Sequence, residues 1–396
     1  MKQPNLSTIV GGIHFENPFI LVSAPSTNSE ETIRRTFDAG WAGAVIKSVR
    51  PDSVPNSNVS PRFTVLKSQD QVIGFENMEL FSEKPVSAWV ESIKNLKRDY
   101  PTKAVIASIM GADQDSWQAL AIAMCEAGAD GLELNFSCPN GVIQQKLGMT
   151  IGQDTELIQK ITAWVKAVAT APVLVKLSPN VTDIAAAAKA AVAGGADGIS
   201  AINTVSCLMG VDVETLCPLP AVDGQSTYGG YSGIAVKPIG LRCIAQICKA
   251  VEIPVHGIGG ISTWEDAVQY IALGAGVVQV CTAVMLDGYA IVKPMLSGLA
   301  AYLERKGFAS LDELRGVALQ KLVTHDALHR NHPVSAVIDK DSCVGCLKCE
   351  MICRESGNQA ISQREGIAVV DSSKCVGCSL CSFICKENAI SMRETV

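Results

Sequence analysis

At 396 residues the chain is long enough for one large domain with an appendage, and 48% hydrophobic with 18% charged residues and 33 Gly describes a compact α/β protein rather than a disordered one. A formal net charge of −6 with no basic patch argues against a polyanion partner. The opening MKQPNLSTIVGGIHFENPF lacks the apolar core of about 7–15 residues of a signal peptide, and no window reaches about 18 uncharged apolar residues, so a cytoplasmic location is expected.

Eight short runs rich in Val, Ile and Leu read as buried strands: 19–25, 43–49, 104–110, 131–137, 172–178, 198–203, 254–260 and 277–283. Helix-like stretches lie between them at 113–127, 153–169, 182–193, 236–250 and 262–273, several opened by Asp, Ser or Thr and closed by Gly. The recurring endings Ala-Gly-Ala-Asp-Gly (127–131) and Gly-Gly-Ala-Asp-Gly (194–198) mark a helix stop, a turn and the next strand. Eight such units predict an α/β fold built on a (β/α)8 TIM barrel over residues 1–307. A doubly wound open sheet is the competing architecture, disfavoured because no strand is followed by a full G-x-G-x-x-G turn. Two connections are long, 50–103 and 204–253, and both leave the C-terminal ends of their strands, where barrel active sites are built.

Several side chains at those strand ends demand explanation. Lys47 and Lys176 sit inside the predicted barrel, where an ammonium needs either a bound group such as a flavin or a carboxylate such as Glu133. Cys138, in Asn135-Phe-Ser-Cys-Pro-Asn140, ends the fourth strand; it is either a proton donor to a substrate carbon or a buried structural thiol. Gly257-Ile-Gly259-Gly260 and Cys281-Thr282 occupy the usual phosphate position after strands seven and eight, and Gly229-Gly230 is a further place where backbone can approach a ligand.

After a last helix near 287–304, residues 308–334 turn polar and read as a linker whose His325, His329 and His332 are solvated. Residues 335–396 then hold eight of the fifteen cysteines; the other seven are scattered without the spacing of a disulfide framework. Cys343, Cys346, Cys349 and Cys353 are spaced C-x2-C-x2-C-x3-C, and Cys375, Cys378, Cys381 and Cys385 repeat the pattern thirty-two residues on. That spacing predicts an α+β ferredoxin-like domain with two [4Fe–4S] clusters, one on Cys343, Cys346, Cys349 and Cys385, the other on Cys375, Cys378, Cys381 and Cys353. Two structural zinc sites are the alternative, but they pair Cys-x2-Cys units and need no third and fourth Cys so close. Arg354 and Lys386 stand where a Pro usually follows the fourth Cys.

Asn135-Phe-Ser-Cys-Pro-Asn140, Val175-Lys-Leu-Ser-Pro-Asn180, Asn203-Thr204 and Gly257-Ile-Gly-Gly260 together resemble the FMN barrel of the dihydroorotate dehydrogenases. Gly74-Phe-Glu-Asn-Met-Glu79, Ile106-Ala-Ser-Ile-Met110 and the fused cluster segment are closer to the dihydropyrimidine dehydrogenases, in particular to the flavin and iron–sulfur subunit of the bacterial NAD-dependent enzymes. The resemblance implies reversible reduction of the C5–C6 double bond of uracil or thymine, with hydride from FMN to C6 and a proton from Cys138 to C5. It implies substrate contacts from Asn77, Glu79, Asn135, Asn203 and Thr204, and FMN contacts from Ala24, Lys47, Lys176, Gly229, Gly230, Gly259, Gly260, Cys281 and Thr282. FAD and NAD(H) would then reside on a partner subunit in a heteromeric complex such as a heterotetramer, with the clusters as the wire between subunits. Two other activities remain open at this point: dihydroorotate oxidation, against which Glu79 argues because the substrate is anionic, and electron transfer on a barrel without pyrimidine chemistry.

Overall fold

The computed structural model describes residues 4–55, 57–136, 149–330 and 332–394, with Met149 and Thr150 described by backbone alone. It divides into two compact units, Met1–Leu322 and Val323–Val396.

In the first unit eight parallel strands close into a barrel in chain order: β1 (Phe19–Leu21), β2 (Gly43–Val45), β3 (Ala104–Ile109), β4 (Gly131–Asn135), β5 (Val173–Leu177), β6 (Gly198–Ala201), β7 (Val255–Ile258) and β8 (Val277–Val280), which pairs back onto β1 through Val278↔Phe19. Every residue in them is buried. Parallel strands covered on both faces therefore read in sequence as unbroken apolar runs. A helix follows each: α1 (Glu30–Ala39), α2 (Val86–Asp99), α3 (Gln114–Glu126), α4 (Thr155–Lys166), α5 (Ile184–Ala193), α6 (Lys237–Ala250), α7 (Trp264–Ala272) and α8 (Val292–Lys306). The side chains of Asp113, Asp154, Asp183 and Thr263 accept hydrogen bonds from the first-turn amides of α3, α4, α5 and α7, satisfying donors that have no partner within the helix.

The predicted strands run past the observed ones because their apolar ends line a cavity instead of pairing. Residues 22–25 are the clearest case: Val22 and Ala24 stay buried and pack with Ile258. The opposite end of the barrel is plugged by the hairpin Thr8–Val10 with Ile13–Phe15, whose Val10, Ile13 and Phe15 pack on Ile20, Ile106 and Leu174.

The two long connections form one structure. Phe63–Ser68 and Gln71–Asn77, from the β2 side, join Gly229–Ser232 and Val205–Cys207, from the β6 side, in a four-stranded antiparallel sheet. Its central pairing sets Asn77 opposite Gly230 and Glu76 opposite Tyr231. Within the segment expected as a linker, Leu311 and Leu314 of a short helix are buried in the barrel's core, and the division between the two units falls after Leu322.

The second unit repeats a strand, cysteine loop, helix and strand. Val334–Ile338 pairs antiparallel with Ile390–Glu394, Ile361–Arg364 with Ile367–Val370, and helices Lys348–Glu355 and Leu380–Ile384 carry the cysteines. Among the described residues no helix is long and apolar enough to cross a membrane.

Candidate active site and cluster unit

A cavity of about 370 Å³ opens at the C-terminal ends of the barrel strands, a size within the usual range for a cofactor or substrate pocket. Of the residues expected to bind ligand there, Ala24, Lys47, Lys176, Asn77, Glu79, Asn135, Asn203, Thr204, Gly259, Gly260, Cys281 and Thr282 line it. Cys138 lies outside the described residues.

The floor is a layer of buried polar groups contributed by five successive strands, β4 to β8. Lys176 Nζ lies 3.3 Å from Glu133 Oε1, with both side chains almost fully buried. Gln279 Nε2 donates to Glu133 Oε2 at 3.0 Å and lies 3.3 Å from both Ser200 Oγ and His256 Nδ1. Burial lowers the His256 pKa to about 4 against the opposing pull of Glu133, so the ring is neutral at physiological pH. The layer as a whole holds one ammonium and one carboxylate.

One wall presents amides. Ser48 Oγ joins Ser108 Oγ at 2.8 Å and accepts from Asn135 Nδ2 at 2.9 Å; Asn203 Nδ2 donates to Asn135 Oδ1 at 3.5 Å and Asn203 Oδ1 accepts the Thr204 amide at 2.9 Å. Asn77 Nδ2 donates to the Gly230 carbonyl at 3.1 Å, which fixes it on the antiparallel sheet above the cavity. Glu79 is held between two cations: its Oε2 takes Lys47 Nζ at 2.8 Å and its Oε1 takes Arg62 Nε at 3.1 Å. Each of the two barrel lysines therefore has a carboxylate, Glu79 for Lys47 and Glu133 for Lys176, and also lines the cavity.

The position expected to hold a phosphate is lined by backbone. Gly259 (φ +129°), Gly260 (φ +67°) and Gly233 (φ +96°) all line the cavity in conformations that side-chain-bearing residues rarely adopt, and a Cβ on Gly260 would lie 2.8 Å from the Gly233 carbonyl. Ser232 Oγ meets Thr282 Oγ1 at 2.8 Å beside them. The nearby Lys237 charge is taken up by Asp266, 2.5 Å away. Cys281 is a neutral thiol: burial pushes its pKa up to about 11 in spite of Lys176 and Lys47.

Gly229 and Gly230 do not reach the cavity. A Cβ on Gly229 would lie 2.4 Å from Glu76 Oε1 and one on Gly230 2.3 Å from Thr204 Oγ1, so close packing within the sheet accounts for both, and Tyr231, Ser232 and Gly233 take the lining instead. Glu76 is fully buried, and burial raises its carboxyl pKa despite the nearby Cys207, whose own thiol is pushed up to about 12 by burial and then by that carboxylate.

In the second unit, Cys375, Cys378 and Cys381 line a small pocket together with Cys353, the last cysteine of the other run. Gly345 and Gly377 occupy equivalent places with φ +68° and +69°; a Cβ on either would collide with a carbonyl, of Gly366 at 2.0 Å and of Val334 at 2.6 Å. Leu347 and Ser379, two residues further on, are also left-handed. Such turns point consecutive backbone amides inward, the arrangement that anionic cluster sulfurs require. Burial, followed by neighbouring thiols, raises the pKa of Cys349 (Cys343 and Cys346) and of Cys381 (Cys375 and Cys378). Such thiols bind as thiolates when a multivalent metal centre displaces their protons.

Arg62, Gln279, His256, Ser48, Ser108 and Gly233 were not anticipated. Gln279 and His256 carry the signal that singled out Lys176, a polar residue within an apolar strand run, whereas Arg62 lies in a long connection with no local pattern to mark it.

The dihydroorotate dehydrogenase family model matches residues 5–303, and that of the 4Fe–4S dicluster domain matches residues 336–392. Over 369 residues the chain is 43% identical to the NAD-dependent dihydropyrimidine dehydrogenase subunit PreA of Escherichia coli (strain K12), which covers 92% of this chain and 89% of that protein. It is 38% identical over 340 residues to the chloroplastic dihydropyrimidine dehydrogenase (NADP(+)) of Arabidopsis thaliana, covering 83% and 80% of the two chains. It is also 37% identical over 309 residues to the catalytic subunit of dihydroorotate dehydrogenase B (NAD(+)) of Pyrococcus abyssi, covering 78% and 97%.

Proposed function

The chain belongs to the dihydroorotate dehydrogenase family of oxidoreductases, with a 4Fe–4S dicluster domain following the barrel, and from this premise we propose that it is the flavin and iron–sulfur subunit of an NAD-dependent dihydropyrimidine dehydrogenase. The substrates are uracil and thymine, reduced reversibly to the 5,6-dihydropyrimidines. The observation that carries this reading is the wall of Asn77, Asn135 and Asn203 beside a carboxylate already neutralised by Lys47 and Arg62. Amide side chains offer both donors and acceptors, as the alternating N–H and C=O groups of an uncharged pyrimidine require, and Glu79 accepts from a ring N–H.

The residues present fit FMN: backbone amides around Gly233, Gly259 and Gly260 suit its phosphate, and Lys47 and Lys176 suit its ring. FMN, when bound, supplies hydride to C6 of the pyrimidine and converts between that two-electron step and the single electrons of the clusters. Lys176, paired with Glu133, stabilises negative charge beside the ring. The ordered amides of Asn135 and Asn203 orient the pyrimidine. Cys138 delivers its thiol proton to C5. Electrons enter through the second unit from a partner subunit bearing FAD and the NAD(H) site, in a cytoplasmic complex.

This chain by itself should contain about eight irons and one FMN, as eight ligating cysteines in two clusters require. The activity test uses the intact chain with its partner. It should oxidise NADH only when uracil or thymine is present, and Cys138→Ala should lower that rate ~10²–10⁴-fold with FMN retained. Steady turnover of dihydroorotate with none of uracil would instead favour dihydroorotate oxidation, and failure to bind any pyrimidine would favour a pure electron-transfer role.

A further inference from the structure

Glu79 is an acid placed between two bases at the cavity wall. Its side chain and that of Lys47 are 8% and 11% exposed, and Arg62 closes the outer oxygen. Among the described residues no other carboxylate pairs with Lys47 or Arg62. Among the described residues, these two cations and one carboxylate sum to a single positive charge.

We infer that Glu79 is a built-in counter-anion that sets the charge of the substrate: it occupies the cation pair that a pyrimidine bearing its own carboxylate would otherwise use, so the site accepts uncharged pyrimidines and rejects 6-carboxypyrimidines such as orotate. The inference rests on the pyrimidine dehydrogenase reading above and extends it to what the site excludes. An incoming carboxylate finds Lys47 and Arg62 already engaged and meets the like charge of Glu79 in a partly desolvated site, where like-charge contacts are strongly unfavourable. Without the Glu79 charge the wall carries two positive charges, and an anionic pyrimidine returns it to the balance that the native wall has with a neutral one. The specificity device is thus the carboxylate, while Lys47 and Arg62 are common to both preferences. Arg62 acts through Glu79 as a positioning residue: it holds the outer oxygen so that the carboxylate accepts from the ring N–H in one orientation.

Binding of uracil and of orotate to the FMN-loaded full chain is read from the change in flavin absorbance, for the wild type, Glu79→Gln, Glu79→Ala, Arg62→Ala, Arg62→Lys and the double variant Glu79→Gln/Arg62→Ala. The expected result for Glu79→Gln is uracil affinity lower by ~10–100-fold, the loss of one charge-assisted hydrogen bond, with orotate affinity higher by ~10-fold or more. The orotate gain disappears in the double variant, which lacks one of the two cations. Arg62→Ala weakens uracil binding and Arg62→Lys restores part of it. Formate, a free carboxylate sized for the space left in Glu79→Ala, should restore uracil binding to that variant where chloride does not, a readout that survives if Glu79→Gln folds poorly. A loss of uracil affinity in Glu79→Gln with no gain in orotate affinity, and no formate rescue of Glu79→Ala, would overturn the inference while leaving the function in place. A wild type that binds orotate and not uracil would overturn both.

Discussion

Replacing Glu133 by Gln keeps the shape of the side chain and removes one charge from a pair sealed inside the barrel. Lys176 Nζ and Glu133 Oε1 are 3.3 Å apart, with the carboxylate fully buried. At an effective dielectric of about 20, unit charges at that separation attract by about 5 kcal/mol. Removing one partner of a buried pair costs about 3–5 kcal/mol, because the remaining charge keeps its desolvation penalty. At about 2–4 °C per kcal/mol, the barrel should melt roughly 6–20 °C lower. Tryptophan fluorescence isolates the barrel in this measurement, since all five tryptophans lie between Trp41 and Trp264. The double variant Glu133→Gln/Lys176→Met removes both charges and should recover most of the loss, as neutral replacements of buried pairs commonly do. A Glu133→Gln chain within about 0.5 kcal/mol of the wild type would refute the account, because so small a change is typical of a surface site. A double variant no more stable than the single would refute it as well.

His256 gives a pH-dependent test. Its pKa is lowered from 6.5 to about 4 in the fold, so between those values the unfolded chain binds a proton that the folded chain does not. Stability from this group is complete above about pH 6.5 and declines as pH falls towards 4, by about 3 kcal/mol in all; His256→Gln should flatten that part of the profile in urea titrations of barrel fluorescence. Cys353→Ser tests the crossed ligation. It should remove the cluster held by Cys375, Cys378 and Cys381, leaving about four irons and one electron paramagnetic resonance signal; loss of the cluster on Cys343, Cys346 and Cys349 with the other intact would contradict the shared pocket.

The barrel was legible because its strands are buried on both faces and its helices begin at Asp113, Asp154, Asp183 and Thr263, signals confined to a few neighbouring residues. The cluster cysteines were legible because ligand spacing is itself local. The sheet above the cavity was not, since Gln71–Asn77 and Gly229–Ser232 meet across more than a hundred residues and neither carries a mark of its partner. That pairing also explains the misreading of Gly229 and Gly230, whose missing side chains make room for Glu76 and Thr204 rather than for a ligand. Lys176 and Lys47 stand out in the sequence as ammonium groups that need either a bound group or a carboxylate; Glu133 is the carboxylate at Lys176, while the partner of Lys47, Glu79, lies in a long connection with nothing local to pair the two.

Because successive residues of a strand face opposite sides, the pairing of Asn77 with Gly230 decides which of two neighbours faces the cavity. Asn77 lines the cavity while Glu76 is packed away against Cys207. Slipping that strand by one residue would exchange an amide for a carboxylate in the binding site without altering a single side chain. Loop grafts from a relative should therefore be made in pairs, 50–103 together with 204–253, since transplanting one alone puts the alignment of the other at risk.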